Sequence, residues 1–183
     1  MRTKIYIAVA AAIALGGVSV AEAAAQMDNR TSFEVRGTAM VPTFDIADAA
    51  NLGWGGGAGL GYRASERVRL MADFDIGIHD TDTPDFNINT LHYMGKVGYD
   101  VVSTDKVVLT LNLGAGAVTF AGDLPTSQTY FAINAGAKLG VKLTPSAEFL
   151  ISPQGDIAFS DEAELGTTNA WVWPFSVGFR LSY

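Results

Sequence analysis

Eight times along this chain, large apolar residues recur at every second position, and in all eight stretches the parity that carries them holds no charged residue. The stretches are 32–41, 54–62, 67–78, 90–99, 107–118, 130–143, 149–159 and 171–183. Period-2 alternation marks a strand with two unlike faces. In a chain with 17% charged residues, such segregation is not an accident of composition. The opposite parity collects the ions: Arg36, Arg67, Arg69, Lys96, Lys138, Lys142 and Arg180, with Glu34, Asp73, Asp75 and Asp156. The last stretch, W-V-W-P-F-S-V-G-F-R-L-S-Y, sets Trp171, Trp173, Phe175, Val177, Phe179, Leu181 and Tyr183 against Pro174, Ser176, Gly178, Arg180 and Ser182. A strand this dry on one face must be covered along its length, or it becomes a template for aggregation.

Two closed architectures could cover it. A soluble barrel turns its apolar residues inward, whereas a membrane barrel turns them to lipid and rings them with aromatic girdles. Here Trp54, Phe74, Phe131, Phe159, Trp171 and Trp173 gather toward one end of the strands, and Phe33, Tyr62, Tyr99, Phe149, Phe179 and Tyr183 toward the other. Two girdles on the dry face match two membrane interfaces. Glycines on the ionic parity, such as Gly55, Gly57, Gly59 and Gly61, leave room in a narrow lumen for long cationic side chains. Short links at 64–66, 103–105 and 144–146 alternate with long ones at 42–53, 79–89, 119–129 and 160–170. The predicted fold is therefore all-β: an eight-stranded antiparallel up-and-down transmembrane β-barrel, its last strand paired with its first. Pro153 and Pro174 each remove a ladder donor, so a bulge or local break is expected near each.

Residues 1–23 read as a secretory signal peptide: Arg2 and Lys4 precede an apolar run, and small residues follow at Ala21, Ala23, Ala24 and Ala25. Cleavage could fall as late as residue 25, and the barrel domain is expected to span 24–183. Losing Arg2, Lys4 and Glu22 leaves 10 basic and 18 acidic residues, a formal charge of −8, which argues against a nucleic-acid partner. There is no cysteine, so neither disulfides nor thiolate metal sites hold the exported chain together.

With a signal peptide, eight alternating strands and a terminal F-S-V-G-F-R-L-S-Y, the chain resembles the small outer-membrane β-barrel family of Gram-negative bacteria around OmpX and the OmpA membrane domain. The resemblance implies a place in the outer membrane, among its lipid and lipopolysaccharide. It also implies that the barrel-assembly machinery reads the last strand, here at Phe175, Phe179 and Tyr183.

Three kinds of chemistry are open to such a barrel. An eight-stranded lumen is filled by its own side chains, so the eleven inner-parity ions are expected to form a paired, structural charge network rather than a selective pore. The long links carry Asp45, Asp48, Asp80, Asp82, Asp85, Asp123, Asp161, Glu162 and Glu164 and no Lys or Arg. Asp80, Asp82, Asp85, Asp161, Glu162 and Glu164 could take divalent cations through oxygen ligands, although a plain acidic surface is the simpler expectation. An enzyme acting on lipid A would need a hydroxyl beside a base; only His79 and His92 exist, and His79 with Ser127 or Ser160 is the one conceivable pairing. No zinc, P-loop or dinucleotide motif occurs, so neither cofactor nor metal is expected. The expectation is a non-enzymatic outer-membrane barrel with a structural or surface-interaction role through acidic loops, against the alternatives of a narrow channel or a lipid A-modifying enzyme.

Overall fold

The computed structural model describes residues 30–183, and the expected signal peptide lies outside them. Eight strands follow one another: β1 (Thr31–Thr43), β2 (Gly53–Arg63), β3 (Val68–Asp80), β4 (Asn87–Ser103), β5 (Val107–Gly122), β6 (Gln128–Thr144), β7 (Ala147–Ala158) and β8 (Ala170–Ser182). Each pairs antiparallel with its neighbours, and β8 returns to β1 to close the barrel. The closing seam runs in register from Ser32↔Ser182 to Thr43↔Trp171.

Alternation dictates the two surfaces. Outward positions such as Leu113 are 69% exposed, while inward Lys138 and Arg180 are 1% exposed. An apolar wall around a charged interior is the inverse of a water-soluble domain and is stable only against lipid. Residues with small or absent side chains make the interior fit: a side chain at Gly140 would meet the Glu148 carboxylate at 2.7 Å, and one at Gly59 would meet the Arg36 guanidinium at 3.1 Å.

Several strands run further than the alternation suggested. β4 begins at Asn87 and β5 continues to Gly122, so the links expected at 79–89 and 119–129 shrink to 81–86 and 123–127. The ladder between the two strands simply persists past the last large outward residue. Link 44–52 contains a 3-10 turn, Phe44–Asp48. Phe44 enters it at φ 60°, a left-handed value that turns its ring outward against Trp171, with centroids 5.4 Å apart. Link 159–169 holds a one-turn helix, α1 (Glu162–Leu165), which Asp161 caps by accepting from the Ala163 N–H at 2.9 Å.

The local break expected near each proline is present, without a bulge. Pairing lapses where β7 would present Pro153 to β6 and where β8 would present Pro174 to β7, but the register resumes unchanged beyond each. The two register shifts fall elsewhere, at Asp100/Val102 and Lys142/Thr144, near the short-turn end.

Candidate functional site: an ionic lattice beneath an apolar plug

Inward residues of β1, β3, β4, β6, β7 and β8 build a connected lattice, beside which Arg69, Asp100 and Thr110 form a separate group. Glu34 is its hub. Its carboxylate accepts from Lys138 Nζ at 2.6 Å, Arg180 Nε at 2.8 Å and Arg36 Nη1 at 3.1 Å. Arg36 continues to Asp75 through a fork of 2.8 and 2.7 Å, the bidentate geometry that guanidinium and carboxylate share. Asp73 receives Lys96 at 2.9 Å and Lys138 at 3.1 Å. Arg180 reaches Glu148 at 2.7 Å, and nearer the short turns Arg69 holds Asp100 at 2.9 Å, with Thr110 donating to the same carboxylate at 2.6 Å. On the far side of Lys96, Gln154 and Asn134 bridge to Asp156, whose other oxygen meets His92 Nδ1 at 2.6 Å.

Among the described residues the buried set comprises cations Arg36, Arg69, Lys96, Lys138 and Arg180 and carboxylates Glu34, Asp73, Asp75, Asp100, Glu148 and Asp156. Each cation has a carboxylate partner, and Asp156, beyond the direct ion pairs of the five cations, is met by His92. Pairing of this kind is what allows charges to be buried at all.

Nine of the eleven ions expected in the lumen thus meet there. Arg67 and Lys142 do not. Arg67 precedes β3 in an exposed turn and donates to the Tyr99 hydroxyl at 3.4 Å, and Lys142 donates to the Thr104 carbonyl at 2.8 Å near the rim. Both sit where the ladder is ending, so parity no longer commits them to the interior. Asp100 and Glu148 are buried lumen ions that the expected strand limits cut off. Extending parity by one step, from Gly98 to Asp100 and from Leu150 back to Glu148, was the available signal.

Toward the long loops the inner face changes character. Phe120, Val118, Met94, Ile88, Ala132, Ala158 and Ala170 close the lumen, and Ile46 and Ala50 descend onto them from link 44–52. The ionic parity is therefore not ionic throughout; at this end it is an apolar plug.

Above the plug, link 44–52 is bonded to links 81–86 and 159–169, and links 123–127 and 159–169 are bonded to neighbouring strand ends. Asn51 Nδ2 donates to Asp82 at 3.2 Å, the Asn87 N–H to Asp123 at 2.8 Å, Tyr130 to Glu164 at 3.0 Å, and Thr167 to Asp45 at 3.3 Å. Of the acids expected as cation ligands, Asp82 instead joins link 81–86 to link 44–52, and Glu164 bonds to Tyr130 of β6. Among the described residues no cluster of three or more His or acidic side chains forms a metal site. His79 is buried with Nδ1 on the Asn51 carbonyl at 2.9 Å and Nε2 on Thr90 Oγ1 at 3.2 Å, while Ser160 donates to the Thr167 carbonyl. The conceived pairing of His79 with Ser160 is not formed. Phe175 and Phe179 face outward on β8, and Tyr183 exchanges backbone hydrogen bonds with Thr31 at the seam.

An antiparallel eight-stranded barrel, dry outside and charged within, defines a class, and the sequence places the chain in it. It belongs to the family described as outer membrane protein beta-barrel domain, whose model matches residues 10–181. Its location is the outer membrane. Among solved structures it is similar to Neisserial surface protein A, with a TM-score of 0.71 and 14% identity over 84% of this chain and 97% of that one. It is also similar to the attachment invasion locus protein Ail of Yersinia pestis (TM-score 0.53, 15% identity, 85% and 100% covered) and to the N-terminal β-barrel domain of Pseudomonas aeruginosa OprF (0.51, 17%, 82% and 97%). At such identities the likeness is one of fold. No curated protein matches the sequence.

Proposed function

We propose that this barrel is a non-enzymatic surface protein that acts through the acidic surface of its outer loops, its lumen being a structural core. The observation that carries the reading is the double closure of the lumen, by the Glu34-centred lattice and by the plug around Phe120. With the interior filled, the faces left for a partner are the outside ones. The outer face is already ordered, because Asp45, Asp82, Asp123 and Glu164 hold the links to one another and to the strand ends. A pre-organised surface loses little entropy on binding, and its uniform negative charge favours basic partners. Neighbours in fold that are named as a surface protein and an attachment invasion locus protein accord with this reading. Delivery to the membrane would rest on Phe175, Phe179 and Tyr183 as the segment read by the assembly machinery.

The test is binding of fluorescent polylysine to the barrel in neutral nanodiscs. Binding should fall with added salt and weaken severalfold when exposed Asp48 and Glu162 become Asn and Gln. Salt-insensitive binding, or equal binding by that variant, would overturn the reading.

A further inference from the structure

The lipid-facing wall is not uniform. On its outer half a hollow of about 420 Å³ is lined by Ile133 and Ala135 of β6, Gly155 and Ile157 of β7, and Trp171 and Trp173 of β8. Small outward residues open it. Ala135 lies between Leu113 of β5 and Gly155 of β7 in the pairing, and a side chain at Gly155 would meet the Trp173 ring at 3.0 Å. An unfilled hollow forfeits the contacts of the atoms that line it, so in lipid it takes an acyl chain.

The pairing register fixes what stands above the hollow. Ile157 pairs with Trp171 and Ala158 with Ala170, and there the two strands pass into link 159–169. Two residues outward from Ile133 and Ile157, the rings of Phe131 and Phe159 stack 6.0 Å apart, which sets the top of the hollow at the outer girdle. Asp161 and Glu162 follow Phe159 by two and three residues, so their backbone lies within about 7 and 11 Å of it. Both are exposed. Glu164 accepts from Tyr130 of β6, one residue before Phe131. Link 123–127, which joins β5 to β6, adds Asp123, and neither link contains Lys or Arg.

We infer that the hollow and link 159–169 form a binding site for an outer-leaflet lipid whose headgroup carries an amine, one acyl chain lying against Ala135 and Ile157 and the ammonium facing Asp161 and Glu162. The hollow holds the chain whatever its headgroup. The link selects charge, because a phosphate there would meet carboxylates and no cation. The site rests on the acidity of the outer surface proposed above and gives that surface a partner within the membrane.

Trp171 and Trp173 report occupancy once Trp54, the third tryptophan of the chain, is replaced by Phe. The Trp54→Phe barrel, in phosphatidylcholine nanodiscs, is titrated with three amphiphiles that share a brominated stearyl chain and carry an amine, a phosphocholine or a phosphate. The amine should quench at a mole fraction about fivefold lower than the phosphocholine, the share of one membrane-surface charge, and the phosphate should quench least. Asp161→Asn, which keeps the cap of α1, and Glu162→Gln should each lower that preference severalfold. Ala135→Leu should weaken quenching by all three and leave polylysine binding unchanged. Asp80→Asn, at the end of β3 and four strands from β7, should change nothing. Heat-modifiable gel mobility verifies folding of each variant, and the link variants carry the test even if Ala135→Leu does not fold. Equal quenching by amine and phosphate, or an Asp80→Asn effect as large as that of Glu162→Gln, would overturn the site even where polylysine binds. Amine-selective quenching without polylysine binding would support the site and overturn the surface reading instead.

Discussion

One lumen is closed twice, by opposite physics. In the middle and toward the short turns, Glu34, Arg36, Asp73, Lys96, Lys138 and Arg180 meet in directional bonds, each defined by a partner and an angle. Toward the outside, Phe120, Val118, Ile46 and their neighbours meet with no directional requirement. Apolar packing tolerates changes that conserve volume, whereas a buried ion that loses its partner is left with its whole desolvation cost. The contrast shows why the two layers are arranged as they are. The lattice cross-links strands far apart in sequence, as Lys138 of β6 does with Glu34 of β1. The plug instead lets link 44–52 settle on the barrel through Ile46 and Ala50.

The largest loss is expected at the hub. Glu34→Ala leaves Lys138, Arg36 and Arg180 short of a carboxylate, and urea unfolding in micelles, followed by heat-modifiable mobility, should show a loss of about 3 to 5 kcal/mol. A loss below about 1 kcal/mol would mean that water screens the lattice. In the plug, Phe120→Ala removes a fully buried ring, and the same measurement should report a loss of about 3 kcal/mol; Phe120→Leu should recover most of it, a rescue that Glu34→Gln should not provide in the lattice. The smallest effect belongs to the outer links. Asp161→Ala removes the cap of α1 and should lower stability by about 1 kcal/mol or less, with faster amide exchange confined to 159–169.

Much of the barrel is legible in the residues alone. Parity alone separates Leu113 and Phe131 from Lys138 and Arg36, because a one-residue slip would carry every charge into lipid. Parity fails where strands end. Arg67 and Lys142 share the inner parity yet lie on the rim, and Asp100 and Glu148 lie inside although they fall just beyond the expected strand limits. Neither the plug nor the bonding of the outer links was legible, for a different reason. Val118 and Phe120 become a lumen cap only when Ile46 arrives from a link whose path no periodicity records, and the bond of Asn51 to Asp82 depends on two links meeting in space.

The claim on which the rest depends is that the lumen is a core and not a passage. Single-channel recording of the folded protein in a planar bilayer tests it most directly. A silent membrane is expected, for the wild type and equally for Phe120→Ala, since the lattice still fills the barrel beneath the altered plug. Reproducible discrete conductance steps from the wild-type protein would contradict it.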